Sequence, residues 1–323
     1  MSSRSRVVAM LLAVLVAGAA EASAQLARYE FSESHMGMRV RIVLYAPGED
    51  AARQAARAAF DRIAALEDVL GDRRERSEAR LLTDSVGRPV RVSRDLWRVL
   101  SRALTLAAQT DGAFDPTIGP YTELWRRARG TGRLPSDSLL REAGTRVGWR
   151  QLVLDSVENT VVVRAAGMRL DLGALAKGYI LDAALAVLRG RGITRALIEA
   201  GGDIVVGDAP PGASGWSVDA GRVGPPPAAR VRSLVNASLA TSGEEGQHLV
   251  VGGVRYSPVI DGRTGRALTS GARARVIAAD GITAGGLATA LTLLDPAARR
   301  ALLLQYRGAV AEVDGERKAG ANR

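Results

Sequence analysis

Residues 170–182 read Leu-Asp-Leu-Gly-Ala-Leu-Ala-Lys-Gly-Tyr-Ile-Leu-Asp and mark the point at which a predicted strand passes into a predicted helix. The β-branched run Val161–Val163 precedes this segment, and Leu175 and Tyr179 continue it at helical spacing. A helix N-terminus offers backbone N–H groups to an anion such as a phosphate, and Lys177, one turn into the helix, can add a point charge. The segment therefore predicts an anion site. The simpler alternative is a polar turn before a helix whose lysine extends into solvent.

The first 24 residues have the pattern of a secretory signal peptide. Arg4 and Arg6 precede an apolar run over Val7–Ala17, and Ala22-Ser23-Ala24 offers a cleavage site of small residues. The apolar run is shorter than a membrane span, and no cysteine follows it that could carry a lipid. We therefore expect cleavage near Ala24, no stable membrane insertion, and a mature protein in the periplasm or exported.

The net charge of +10 bears on the class of binding partner. Removing Arg4, Arg6 and Glu21 with the predicted signal lowers it only to +9. A basic chain suggests nucleic acid or an anionic membrane surface, but these positive charges are scattered arginines and aromatic residues make up 4%. Single-strand binders interleave basic and aromatic side chains, so we expect no nucleic-acid partner. The lack of cysteine excludes disulfides and thiolate chemistry.

The predicted elements indicate an α+β fold. Helical periodicity covers 51–70 and the segment from Ser93 to 109, and a shorter helix is predicted over 287–294. A hairpin pattern surrounds 156–160. Strands and helices follow one another without a regular βαβ order, so we predict mixed sheets with packed helices.

The predicted domain organisation is simple. One large domain of two joined lobes spans 25–312, and a polar tail spans 313–323.

Four further motifs accompany residues 170–182 along the chain. They are Thr-Asp-Gly-Ala-Phe-Asp-Pro-Thr-Ile-Gly-Pro-Tyr-Thr-Glu-Leu-Trp at 110–125, Gly-Gly-Asp at 201–203, Tyr-Ser-Pro-Val-Ile-Asp-Gly-Arg-Thr-Gly at 256–265 and Leu-Ala-Thr-Ala-Leu at 287–291. In this order the five motifs resemble those of the ApbE family, from about Phe31 to about Glu312. Members of that family are periplasmic flavin transferases, which move FMN from FAD onto a threonine or serine of a partner protein.

The resemblance implies which residues contact FAD and which take part in the reaction. The family's FAD contacts carry over onto Met36, Ala113, Phe114, Asp115, Asp171, Lys177 and Ile260. Asp261 and Thr264 of the late motif are the catalytic candidates. The residues alone also allow purely structural roles. Phe114 can be a core aromatic, Asp115 can be a turn residue before proline, and residues 201–203 can form a turn after a strand.

The resemblance also implies a Mg²⁺ site, and here the chain departs from the family. The ligands carry over onto the carbonyl of Ala174 and an Asp-x-x-x-Thr pair, of which Thr289 remains and Gly285 replaces the aspartate. Mg²⁺ is held in proteins by carboxylates together with other oxygens. Asp280, the nearest acid upstream, lies more than two helical turns before Thr289.

A second departure lies in the late motif. Pro258 stands where the family has histidine, and Gly262 replaces a later proline. An orienting group or base expected at position 258 is therefore missing. His248 is a candidate substitute, and the alternative is a solvated surface histidine.

Two main hypotheses about function follow from the resemblance. The first is a Mg²⁺-dependent transferase that links FMN to an exported electron-transfer protein through a phosphoester bond, with release of AMP. The second is a flavin-binding member of the family with weakened or lost transferase activity, a carrier or inactive paralogue, which Gly285 and Pro258 favour. A third, hydrolysis of FAD to FMN and AMP, requires the same metal.

Overall fold

A seven-stranded sheet lies at the centre of the fold. The computed structural model describes residues 26–72, 74, 76–219, 231–243 and 248–315. The elements of these residues are, in chain order, β1 (Ala27–His35), β2 (Met38–Ala46), α1 (Glu49–Leu70), α2 (Glu78–Thr83), β3 (Val90–Arg91), α3 (Arg94–Gln109), α4 (Gly119–Thr131), α5 (Asp137–Gly144), a 3-10 turn (Trp149–Gln151), β4 (Leu152–Asp155), β5 (Thr160–Val163), α6 (Gly173–Gly190), β6 (Ala196–Ala200), β7 (Asp203–Val206), β8 (Trp216–Asp219), β9 (Val231–Leu234), β10 (Ala237–Ser242), β11 (Leu249–Val251), β12 (Val254–Tyr256), β13 (Arg273–Ala278), α7 (Gly281–Leu293), α8 (Pro296–Leu303) and β14 (Val310–Asp314). The central sheet has the order β1-β2-β6-β7-β10-β13-β14.

Both faces of this sheet are covered by apolar side chains. Along β2, Ile42 and Leu44 belong to the main core, whereas Val43 joins a second cluster with Leu197 and Trp216. Alternate residues of a strand face opposite sides of a sheet. Helices α1, α3, α6 and α7 therefore pack on one face, and the hairpin β8–β9 packs on the other. A one-residue slip would exchange the two apolar sets, so this pattern fixes the register.

The two long helices before the site form as the sequence predicts. In α1, Phe60 and Ile63 are buried on the face that packs against the sheet. In α3, the side chain of Ser93 accepts a hydrogen bond from Leu96 N, and Leu100 is buried in the core. Both helices thereby support the turn that follows α3.

A smaller apolar cluster lies beside the late motif. It joins Tyr121 and Trp125 of α4 to Leu140 of α5 and to Ile260. The indole of Trp125 also donates a 2.8 Å hydrogen bond to the carbonyl oxygen of Gly265. This cluster holds the loop that follows Ile260 in one conformation.

The α+β class predicted from the sequence is confirmed. The sheets differ from the expected mixture, because every described strand pair is antiparallel. Parallel pairing is limited to isolated bridges, Val86 with Val163 and Ile118 with Arg169. Short turns such as those between β1 and β2 and between β6 and β7 allow only antiparallel neighbours.

Some predicted boundaries are corrected. Helix α7 begins at Gly281, six residues before the predicted start, because the side chain of Asp280 caps it by accepting from Thr283 N. Strand β14 runs to Asp314, two residues into the predicted tail. The predicted signal over 1–24 and the end of the tail over 316–323 lie outside the described residues. No helix in the described part of the chain is both long and apolar enough to cross a bilayer.

Candidate active site

Two of the predicted motifs meet at the turn after α3. Gly262 N donates a 3.0 Å hydrogen bond to the carbonyl oxygen of Ala113. A Cβ atom on Gly262 would lie 2.5 Å from Gly112 O and 2.7 Å from Asp115 Cβ. Glycine is therefore the residue that this approach requires. Position 262, where the chain departs from the family's proline, is the contact between the two turns.

Asp115 holds the turn together from the inside. Its Oδ1 accepts hydrogen bonds from Thr117 N (2.7 Å) and Thr117 Oγ1 (2.6 Å), and its Oδ2 accepts one from Trp149 N (2.9 Å). Burial raises the pKa of Asp115, although these bonds favour the ionised form. Phe114 lies in the main core at 5% exposure, and Ala113 is fully buried. The geometry therefore fits the alternative roles of these residues, with Asp115 as a turn residue and Phe114 as a core aromatic.

Asp261 is buried and charge-paired within its own loop. Its Oδ1 accepts from Arg263 N (3.0 Å) and Nε (2.9 Å), and its Oδ2 accepts from Arg263 NH2 (2.7 Å). The hydrogen bond to Asp261 raises the pKa of Arg263. Thr264 is exposed on the same loop, and Ile260 is buried just before it. The sequence motifs do not assign a role to Arg263. An arginine two residues after a candidate carboxylate is nevertheless a sequence pattern that indicates an ion pair.

Asp171 links the first turn to helix α6. Its backbone N donates to Pro116 O at 2.8 Å, so the two segments run side by side. Its carboxylate accepts from Thr122 Oγ1 (2.7 Å) and from Gly173 N (3.2 Å). Burial raises the pKa of Asp171. The carboxylate thus contacts the first residue of α6 from just outside the helix, whose N-cap residue is Leu172.

An arginine-rich cavity opens beside Asp171. It has a volume of about 440 Å³ and lies between α2, the start of α4 and residues 169–172. Its basic lining residues are Arg80, Arg126, Arg127 and Arg169. Most of this charge is balanced, since Arg126 lies 3.3 Å from Asp72, Arg127 lies 2.6 Å from Glu123 and Arg169 lies 3.0 Å from Asp84. A concave surface with several guanidinium groups suits a phosphate-bearing ligand.

Lys177 points into the fold and pairs with the Gly-Gly-Asp motif. Its Nζ lies 2.9 Å from Asp203 Oδ2, and the two side chains are 25% and 7% exposed. Asp203 Oδ1 accepts from Thr241 N at 3.2 Å. A Cβ atom on Gly201 would lie 2.8 Å from Met38 Sδ and 3.9 Å from Lys177 Nζ. The solvent-directed alternative for Lys177 is therefore excluded, and 201–203 is both a turn and the anchor of this lysine.

The residues carried over as Mg²⁺ ligands do not form a suitable donor set. A Cβ atom on Gly285 would come closer than 3.0 Å to the carbonyl oxygen of Ala174. Thr289 Oγ1 donates to Ser242 Oγ at 3.4 Å. Asp280 caps α7 and stands roughly 13 Å along the helix from Thr289 at 1.5 Å per residue. One carbonyl and one hydroxyl without a carboxylate do not fit Mg²⁺.

Acidic and histidine side chains elsewhere in the described ranges do not replace these ligands. Within the described ranges, no group of three or more His, Asp or Glu side chains is arranged to hold a metal ion. His248 is exposed and lies 3.2 Å from Arg255, which agrees with the surface interpretation. His35 lies between Glu33 and Glu67 and stacks on Phe60.

Met36 occupies the turn between β1 and β2. Its φ of +54° is in the left-handed region, and its N donates to Glu67 Oε1 at 2.5 Å. Its side chain is partly buried against the main core. Met38, two residues later, borders Gly201 and Lys177. The hairpin that carries Met36 therefore reaches the same region as Lys177.

Comparison with known proteins agrees with this architecture. The sequence pattern of the ApbE family matches residues 36–313. The FAD:protein FMN transferase of Treponema pallidum is 32% identical over 310 residues, covering 90% of this chain and 85% of that protein. The enzyme of the same name from Klebsiella pneumoniae is 29% identical over 245 residues, covering 73% of each.

Solved structures share the fold. The crystal structure of an ApbE protein from Thermotoga maritima is 27% identical, with a TM-score of 0.79 over 90% of this chain and 97% of that one. The apo flavinyl transferase ApbE of Pseudomonas stutzeri, 23% identical, superposes with a TM-score of 0.77 over 91% and 96%. The match over 36–313 and the Treponema relative together show that this chain belongs to the ApbE family.

Proposed function

We propose that this chain is an FAD:protein FMN transferase. Relatives in its family carry that name. The observation that carries the proposal is the continuous path of contacts through the predicted FAD residues. Ala113 contacts the loop of Asp261, and Asp171 contacts the segment after Asp115. Lys177 lies in helix α6, which begins two residues after Asp171.

The proposed reaction joins the FMN part of FAD to a hydroxyl group of the acceptor protein. The hydroxyl oxygen of an acceptor threonine or serine attacks the FMN-side phosphorus of FAD. The bond from that phosphorus to the bridging oxygen breaks, AMP leaves with that oxygen, and the hydroxyl proton passes to solvent. Such a transfer depends mainly on positioning and on neutralising phosphate charge.

The chain's own residues supply both requirements. N–H donors for the phosphates come from Lys177, which is paired with Asp203, and from the arginines of the cavity beside Asp171, three of which are also ion-paired. Asp261, fixed by Arg263, orients the acceptor hydroxyl, and the exposed Thr264 contacts the acceptor segment. Because the predicted metal ligands do not fit Mg²⁺, no step here depends on it.

The acceptor and the compartment are part of the same proposal. The signal pattern before Ala24 supports export, and hence a periplasmic location. The acceptor is then an exported electron-transfer protein with a reactive threonine or serine. Redox proteins of this kind use a bound flavin for hydride and electron transfer.

A labelling experiment tests the proposal directly. The purified chain is incubated with FAD and an exported redox domain, and flavin fluorescence and the mass of the acceptor are measured together with AMP. We expect a fluorescent acceptor, a mass increase of one FMN less water, and equal AMP. The control acceptor has valine in place of its reactive threonine.

The alternatives give different outcomes in the same assay. FAD uptake without labelling would identify a flavin-binding member that has lost transfer activity. FMN and AMP without labelled acceptor would indicate hydrolysis. Failure to take up FAD would contradict all three hypotheses.

A further inference from the structure

We propose that the fixed cation of this site is the ammonium of Lys177, held by Asp203, and that the site works without a divalent metal ion. The inference rests on the function proposed above and specifies its charge requirement. The residues involved lie on helices α6 and α7 and on strands β7 and β10.

Helices α6 and α7 are in direct backbone contact. A Cβ atom on Gly178 of α6 would come closer than 3.0 Å to the carbonyl oxygen of Gly281 of α7, and one on Gly281 would lie 2.6 Å from Gly178 O. One helical turn further along α7, a Cβ on Gly285 would collide with the carbonyl of Ala174. The two backbones therefore touch at position 285, and a side chain there would have to displace the main chain of α6.

The oxygen ligands that remain for a metal ion carry no charge. The carbonyl of Ala174 and the hydroxyl of Thr289 are both neutral, and Thr289 already donates to Ser242. Mg²⁺ gives up its water reluctantly and is usually held by one or two carboxylates. Two neutral oxygens do not provide that compensation.

Lys177 lies close to these oxygen ligands along the chain. It lies one turn beyond Ala174 on α6, and its Nζ is 2.9 Å from Asp203 Oδ2. Asp203 is fixed in turn by Thr241 N, and the next residue, Ser242, is the partner of Thr289. A chain of contacts through Asp203, Thr241 and Ser242 thus connects the ammonium of Lys177 with the hydroxyl of Thr289.

The ammonium also has the capacity to bind an anion. A lysine has three N–H donors, of which Asp203 takes one, and a quarter of the side chain is exposed. Lys177 and Lys318 are the two lysines among 44 basic residues. In a chain that otherwise uses arginine, a lysine at this position indicates a need for a compact point charge.

Binding measurements test whether a metal ion takes part. The purified chain is treated with EDTA and titrated with FAD by calorimetry, in EDTA and in excess Mg²⁺. We expect dissociation constants that agree within about twofold. Mn²⁺ alone, followed by electron paramagnetic resonance, should show no saturable site. An affinity gain of about tenfold in Mg²⁺, or a saturable Mn²⁺ site lost in Thr289→Val, would overturn the inference.

The rarity of lysine permits a direct test of the ammonium. Acylation of amines, read by mass spectrometry, should be slowed by FAD at Lys177 and unchanged at Lys318, which serves as the internal control. Lys177→Met should lower FAD affinity by at least about tenfold without rescue by Mg²⁺, and Lys177→Arg should lose less. Unprotected acylation of Lys177 in the FAD complex would contradict the inference.

Asp203 acts through Lys177 and is a positioning residue. Asp203→Ala should weaken FAD binding in the wild-type background but have no further effect when combined with Lys177→Met. If Asp203 had a purely structural role, Asp203→Ala would weaken FAD binding by the same factor in the wild-type and the Lys177→Met backgrounds.

The failure of this inference differs from failure of the transferase proposal. Acceptor labelling that stops in EDTA and returns with Mg²⁺ keeps the transferase and removes the metal-free site. Chelator-insensitive FAD binding without labelling does the reverse.

Discussion

The carbonyl oxygen of Ala174 lies directly against the backbone of Gly285, so that helices α6 and α7 meet without an intervening side chain. The nearby pair of Gly178 and Gly281 approaches in the same way. This relationship connects the chain's main departure from its family's motif with the packing of its core.

The first prediction concerns Gly285→Ala. In an unconstrained helix, replacing glycine by alanine stabilises by about 1 kcal/mol. Here the new Cβ would press on Ala174 O, so we expect a loss of ~1–3 kcal/mol in the free energy of unfolding. Urea denaturation measures it. The matched control is Gly130→Ala in α4, whose Cβ would meet no atom within 4 Å and which should not destabilise. Equal effects of the two substitutions would contradict the packing argument.

The second prediction concerns the pH dependence of stability at Asp182. Its carboxylate accepts from Gly281 N (2.7 Å) and Ile282 N (3.0 Å), and burial raises its pKa to about 6. The folded state therefore binds this proton more tightly than the unfolded state, whose pKa is near 3.8. The resulting stability is complete below about pH 4 and is lost as the pH rises through 6, by ~3 kcal/mol.

Comparison with Asp182→Asn isolates this contribution. The unfolding free energy of the variant relative to wild type should rise by up to ~3 kcal/mol between pH 4 and pH 7. Any constant cost of the amide cancels in that difference. Parallel pH profiles of the two proteins would show that Asp182 does not titrate in this range.

The third prediction concerns Asp115. Removing its carboxylate in Asp115→Ala leaves the N–H groups of Thr117 and Trp149 without acceptors in a buried turn. We expect a loss of ~2–4 kcal/mol in stability. Asp155→Ala is the control, because Asp155 makes similar bonds to Val157 N and Glu158 N in an exposed turn where water can replace it. Its cost should stay below about 1 kcal/mol.

The fourth prediction separates binding from chemistry at Asp261. In Asp261→Asn the bond to Arg263 weakens but the side chain keeps its shape. If the carboxylate orients the acceptor hydroxyl, the rate of acceptor labelling should fall by about 100-fold, with little change in the dissociation constant of FAD. Stopped-flow flavin fluorescence and calorimetry give the two quantities. A parallel loss of FAD affinity would assign Asp261 to substrate binding.

Local structure was largely predictable from the sequence. The cap at Ser93, the apolar face of α1 and the hairpin of β4 and β5 depend on neighbouring residues, and each appears where its pattern indicates. Helix α7 begins earlier than the sequence pattern predicts, because Gly281 and Gly285 are typical of a loop. Their real role is to admit another helix, which a local pattern does not report.

The site was predictable in its residues but not in its pairings. Lys177 and Asp203 belong to different motifs, and the sheet turn at Gly201 brings them together. The pairing of Arg263 with Asp261 depends on the conformation of their loop, which the motif alone does not specify. Long-range pairing depends on strand register and helix spacing, which the order of motifs does not encode.

The contact between Gly178 and Gly281 has a consequence for any attempt to reintroduce the family's aspartate. An aspartate at position 285 would have to push apart the main chains of α6 and α7. One turn away, Gly178 and Gly281 allow the same two helices to approach closely. The variant would therefore lose folding stability before it gained a ligand. Installing that carboxylate requires coordinated changes on both helices, and a one-residue reversion is insufficient.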